Sequence, residues 1–218
     1  KVTASASIVS GSNSTTGHLK AGSYNQTATA ISGDDSANYS FAGVTTTDNN
    51  YVVNKLVLSG AAIAGVTTTY ATAANAGAVS FTNVQGTDNV NASASIVDAV
   101  TSTSGNLKAG SYNHTATAIS GDDSANYSFA GVTTTDNNYV VNKLALTGAA
   151  IAGVSTTYAT AADAGAVSFT NVQGADKVTA SASIVGGSNS TSGQLKAVSY
   201  QQTATSISGD DATNYSFG

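Results

Sequence analysis

The chain has 218 residues and a net charge of −5; all its acidic residues are Asp and all its basic residues are Lys. That balance disfavours nucleic acid and anionic membrane surfaces as partners, and the absence of Cys removes disulfide staples and thiolate metal sites. Hydrophobic residues reach 41% but aromatics only 7%, which separates the chain from disordered linkers while allowing only a thin core.

No apolar run approaches the ~18 residues of a membrane span, and these 218 residues carry no signal-peptide pattern, as expected if the true N-terminus lies elsewhere. An 88-residue period runs through the chain without insertion: Tyr24, Tyr112 and Tyr200 are equivalent, as are Asp34, Asp122 and Asp210. Such a period is longer than a solenoid turn and suits one small β-domain per copy. The expected organisation is an incomplete repeat at 1–55, a complete one at 56–143 and an incomplete one at 144–218. Both ends then fall inside a repeat, so the chain reads as a segment of a longer array with more copies on either side.

Along the complete repeat the apolar pattern is mostly period two, broken about every 8–12 residues by Gly, Asn, Asp and Ser, as in a sandwich or barrel. Strands are expected at 56–59, 62–69, 78–84, 90–97, 114–119, 127–130 and 138–143. In the fourth, Val90, Ala92, Ala94 and Ile96 share one face and Asn91, Ser93 and Ser95 the other. Turns fall at 74–77, 85–89, 101–106 and at Gly121-Asp122-Asp123. The stretch from Asn138 to Leu146 has no Gly, Pro or Ser-rich break, nor has that from Asn50 to Leu58. Each reads as a continuous extended junction with little slack, joining neighbouring repeats into a semi-stiff rod.

Asp123-Ser124-Ala125-Asn126-Tyr127-Ser128-Phe129, Gly131-Val132-Thr133-Thr134-Thr135 and the run from Tyr139 to Gly148 resemble the YDG-type and related mostly bacterial Ig-like (MBG-like) repeats. Those repeats occur in very large secreted, haemagglutinin-like adhesins of Gram-negative bacteria. The family's Tyr-Asp-Gly-Thr is replaced by Tyr70-Ala71-Thr72-Ala73 and Tyr158-Ala159-Thr160-Ala161. The resemblance implies an all-β, tandem immunoglobulin-like sandwich used as a spacer or stalk, and supplies no ligand.

Catalysis is not expected. His18 is replaced by Asn106 and Gln194, and His114 by Gln26 and Gln202, so neither histidine recurs and each reads as an exposed polar position. Oxygen side chains recur at Asp34, Asp35 and Asn38, at Asp122, Asp123 and Asn126, and at Asp210, Asp211 and Asn214. These are weak calcium candidates, because the run lacks the glycine and the terminal Glu of an EF-hand loop. The favoured reading is a local Asx-type turn in which these side chains bond nearby backbone N–H groups. The recurring Lys20, Lys108 and Lys196, with Lys55 and Lys143, read as solvated edge charges rather than isopeptide cross-links. Tyr70, Phe81, Tyr112, Tyr127, Phe129 and Tyr139 read as core rather than as a carbohydrate platform.

The expected function is therefore non-catalytic: the stalk of a long secreted bacterial surface adhesin or extracellular fibre, without a cofactor, at the cell surface. Its partners would be neighbouring repeats of the same chain, with self-association into fibres and host or surface glycans held by other segments. The alternatives are a glycan- or surface-binding β-module and a self-assembling filament subunit.

Overall fold

The computed structural model describes residues 1–218. The fold is all-β, with 27 strands of two to four residues and single 3-10 turns at Ser36–Asn38, Ser124–Asn126 and Ala212–Asn214. Short strands follow from the composition, because Gly, Ala, Ser and Asn interrupt the β-branched residues before a ladder can lengthen. By its contacts the chain divides into two compact units. The first holds Lys1–Ala64, Gly77–Ser95 and Thr115–Thr133; the second holds Gly65–Ala76, Ile96–His114 and Thr134–Gly218. Each unit is discontinuous in sequence, and its segments do not follow the 88-residue period.

In the second unit the central sheet sets Tyr139–Asn142 between Val66–Thr69, in parallel, and Gly110–Tyr112, antiparallel. Val66 lies opposite Tyr139 and Thr69 opposite Asn142, while Tyr112 faces Tyr139 from the other side. Tyr70, Tyr139, Val141 and Tyr215 form the buried cluster of this unit, flanked by Ile96, Leu107 and Leu144. Leu144–Ala145 pairs in parallel with Tyr215–Ser216, so the segment entering from Tyr139–Asn142 changes partner within two residues. In the first unit Leu56–Val57 pairs in parallel with Tyr127–Ser128 in the same way, and Gly22–Tyr24 pairs with Tyr51–Val53. An edge-to-face pair, Phe81 on Phe129 at 5.2 Å, supports the first unit; its counterpart in the second is Phe169 on Phe217.

The alternation expected at 90–97 is observed, with Val90, Ala92, Ala94 and Ile96 half-buried and Asn91, Ser93 and Ser95 exposed. The expected strand 62–69 is instead two strands, Ala62–Ile63 and Val66–Thr69, because the first pairs with Val79–Ser80 and the second with Tyr139–Asn142. Gly65 permits the switch: a Cβ there would lie 3.3 Å from the Asn138 carbonyl oxygen. Expected strand 114–119 is likewise cut into His114–Ala116 and Ile119–Ser120. Gly110–Tyr112 and Val132–Thr133 are strands that the apolar pattern does not announce.

His114 corrects an expectation. It is fully buried rather than exposed, with its ring 5.1 Å from that of Tyr139 and perpendicular to it within 20°. Strand parity explains this, since His114 and Ala116 point inward together. Gln26 and Gln202, the equivalents of His114, are half-buried. His18 is exposed.

Candidate functional site

The most densely bonded polar site begins with a tight loop. At residues 14–18 the chain turns on itself: Gly17 N–H donates to the Ser14 carbonyl at 2.9 Å and Ser14 N–H to the His18 carbonyl at 2.8 Å. These bonds leave other amides of the loop facing outward. Thr15 N–H donates to Asp123 Oδ1 (3.1 Å), Thr16 N–H to Asp88 Oδ1 (2.9 Å) and Ala21 N–H to Asn126 Oδ1 (2.9 Å). The Thr16 hydroxyl closes the contact by donating to the Gln85 carbonyl and accepting from Thr87 N–H.

The receiving residues are themselves held. Asp123 Oδ2 accepts from Asn89 N–H, and the Tyr127 hydroxyl donates to Asp88 Oδ2 at 2.7 Å while accepting from Gln85 N–H. Burial pushes the Asp88 carboxyl up, but the donors from Thr16 and Tyr127 outweigh it and hold the group at about 2. Asp123 is lowered as well, by the Thr15 and Asn89 donors.

The same set recurs 88 residues further along, wholly within the second unit. Thr103 N–H donates to Asp211 Oδ1, Ser104 N–H to Asp176 Oδ1 and Ala109 N–H to Asn214 Oδ1, at 3.2, 2.9 and 2.9 Å. Lys177 N–H donates to Asp211 Oδ2, and Tyr215 donates to Asp176 Oδ2. Here one more group joins: the Tyr70 hydroxyl donates to Asp176 Oδ2 and sits 2.5 Å from Ser102 Oγ. Tyr70 and Tyr215 meet edge to face at 5.3 Å. Burial raises Asp176, and the donors Tyr70, Tyr215 and Ser104 bring it down to about 2. Tyr215 and Tyr70 are both pushed up, by burial first and by the carboxylate they bond.

Gly86 and Gly174 let the docked loop close. Their φ values are +48° and +46°, and a Cβ would come 2.6 Å from Thr16 Cγ2 at the first and 2.8 Å from Ser104 Oγ at the second.

The calcium candidates thus separate into two kinds. Asp123, Asn126, Asp211 and Asn214 accept amide hydrogens that lie 105 or 108 residues away in sequence. The local Asx-turn reading is corrected accordingly: the Asp123 and Asp211 side chains make no bond to the 3-10 turns they precede. Asp34, Asp122 and Asp210 are exposed, as are Asp35 and Asn38. Asp35 bonds the Lys1 nitrogen, in the place where Asp123 takes the Asn89 amide. No group of three or more His, Asp, Glu or Cys is placed to hold a metal ion.

Asp88 and Asp176, which bond both the docked loop and a buried tyrosine hydroxyl, were not singled out by the sequence. Their signal was available: each sits 35 residues before Asp123 or Asp211 in a chain with only 12 acidic residues. No family model, curated protein or solved structure matches the chain.

Proposed function

We propose that the chain is a tandem array of Ig-like β-sandwich repeats, at 1–55, 56–143 and 144–218, forming part of the stalk of a long secreted bacterial surface adhesin or extracellular fibre. The reading is non-catalytic, with no cofactor and an extracellular, cell-surface location. The observation that carries it is the recurrence, at an 88-residue offset, of a carboxylate and carboxamide cluster that grips a loop belonging to the preceding period. A spacer needs joints that resist bending, and a joint with three side-chain acceptors on one loop, beside a peptide that passes directly between ladders, supplies that resistance. The resemblance to mostly bacterial Ig-like repeats supports the same assignment. Small-angle scattering on the 218-residue chain tests it: an extended particle is expected, and a compact sphere-like profile would overturn the stalk assignment.

A further inference from the structure

Parallel pairing joins Leu56–Val57 to Tyr127–Ser128, Val66–Thr69 to Tyr139–Asn142 and Leu144–Ala145 to Tyr215–Ser216, so in each case an early segment lies beside one that follows most of a period later. The direction has a mechanical consequence. Tension transmitted along the backbone enters the earlier strand at its N-terminal end and leaves the later strand at its C-terminal end. In a parallel pair those ends lie at opposite ends of the ladder, so the strands are drawn past each other and the evenly spaced bonds are strained together. An antiparallel pair drawn in the same way parts from one end. Gly110, for example, lies opposite Val141, so tension entering at Gly110 and leaving after Val141 strains one bond at a time.

Val66–Thr69 with Tyr139–Asn142 is the longest of these parallel ladders, four residues on each strand against two in the others. Val66 N–H donates to the Asn138 carbonyl at 3.0 Å and Tyr70 N–H to the Asn142 carbonyl at 2.8 Å, so the bonding runs past both ends of the register. Sliding would break more than these bonds. Tyr139 and Val141 point into the core at 0% and 5% exposure, and the same faces turn inward again only after a shift of two residues. Tyr70, the residue after Thr69, sits in the buried cluster with Val141 and Tyr215, and its hydroxyl bonds the Asp176 carboxylate and Ser102. A pull toward residue 66 must draw that ring and hydroxyl out of the core before the strand can move.

We propose that the parallel ladder between Val66–Thr69 and Tyr139–Asn142 is a shear clamp that resists tension along the chain, and that Tyr70 is the stop that holds it in register. Resistance to force is a rate, set by the barrier to opening, and the clamp raises that barrier because its bonds and the Tyr70 anchor must give way in one event. The charge-assisted bond to Asp176 is the strongest part of the anchor. The clamp follows from strand direction and from the packing of Tyr70, and does not depend on the stalk assignment.

Because the chain has no Cys, single-molecule force spectroscopy can grip the 218-residue protein through two introduced thiols. Thr67→Cys with Lys143→Cys pulls along the ladder, and Thr69→Cys with Asn142→Cys pulls across it, since Thr69 and Asn142 lie opposite each other; all four side chains are exposed. Opening releases nearly the same segment in both cases, about 240–270 Å of chain, so the two measurements differ in direction alone. At one pulling rate, rupture along the ladder is expected to need at least about twice the force of rupture across it, because bonds strained together must fail together. Equal forces in the two directions, or no resolvable rupture along the ladder, overturn the clamp. Tyr70→Phe, which keeps the ring and removes the hydroxyl, is expected to lower the force along the ladder at unchanged released length. An unchanged force in that variant overturns the hydroxyl of Tyr70 as the anchor.

Discussion

At the scale of single residues, two buried titratable groups behave in opposite ways. Asp176 is 9% exposed but accepts from Ser104 N–H and two tyrosine hydroxyls, so its charge is matched by donors. Replacing it with Asn removes the acceptor that the two phenols share, and is expected to cost about 1.5–3 kcal/mol in urea unfolding. Asp88→Asn disturbs a single phenol and is expected to cost less. His114 instead has both ring nitrogens buried without partners, and burial lowers its pKa against the opposing pull of Asp136. The unfolded chain therefore takes up a proton first as pH falls below about 6.5, and stability contributed by neutral His114 is lost in the direction of acid, by at most about 1.4 kcal/mol per pH unit. Gln occupies the equivalent positions 26 and 202, so His114→Gln is expected to fold and to flatten the stability profile just below pH 6.5, as read by denaturant titration across pH 5–7.

At the scale of elements, the loop that docks and the glycine that receives it form one device. Gly174→Ala places a Cβ against Ser104 Oγ at a backbone conformation that L residues avoid, whereas Gly105→Ala, at φ +79°, meets nothing within 4 Å. Both substitutions carry the left-handed backbone cost of about 1–2 kcal/mol, so the excess destabilisation expected of Gly174→Ala reports the docked loop, and equal losses would argue against tight docking. How much of this could be read beforehand differs by element. The faces of Asn91–Ala92 and Ser95–Ile96 were legible because a strict period of two places Ala and Ile inward and Asn and Ser outward. Gly110–Tyr112 was not, because Gly-Ser-Tyr has no alternation and becomes a strand only when Tyr139–Val141 lies alongside. The role of Asp123 was hidden for a related reason. Its partner amide, Thr15 N–H, is 108 residues away, and a backbone donor leaves no residue type to search for. Recurrence picked out Asp123 and Asn126 as worth weighing but could not say what they bond.

At the scale of the whole molecule, stability is tied to carboxylates that must stay ionised. The side-chain salt bridge between Lys177 and Asp210 is exposed at both ends and is worth little, so the electrostatic contribution resides in Asp88, Asp123, Asp176 and Asp211, all with lowered pKa values. For a carboxyl depressed on folding, the unfolded chain binds the proton at higher pH than the folded one, so stability rises with pH across the interval between the two values. The contribution is full above the ordinary carboxyl value of 3.8 and is lost as pH falls from there toward about 2. Thermal unfolding is therefore expected to show a steep loss of Tm between pH 4 and 2 that is shallower in the Asp88→Asn/Asp176→Asn double variant. The same assignment makes a statement about calcium. If these oxygens are occupied by amide and phenol donors, a chelator has nothing to remove, and Tm at pH 7 is expected to be the same with EDTA as with millimolar calcium. A calcium-dependent rise in Tm that Asp123→Asn abolishes would return the Asp123 and Asn126 cluster to the metal-binding role that the recurring oxygen side chains first offered.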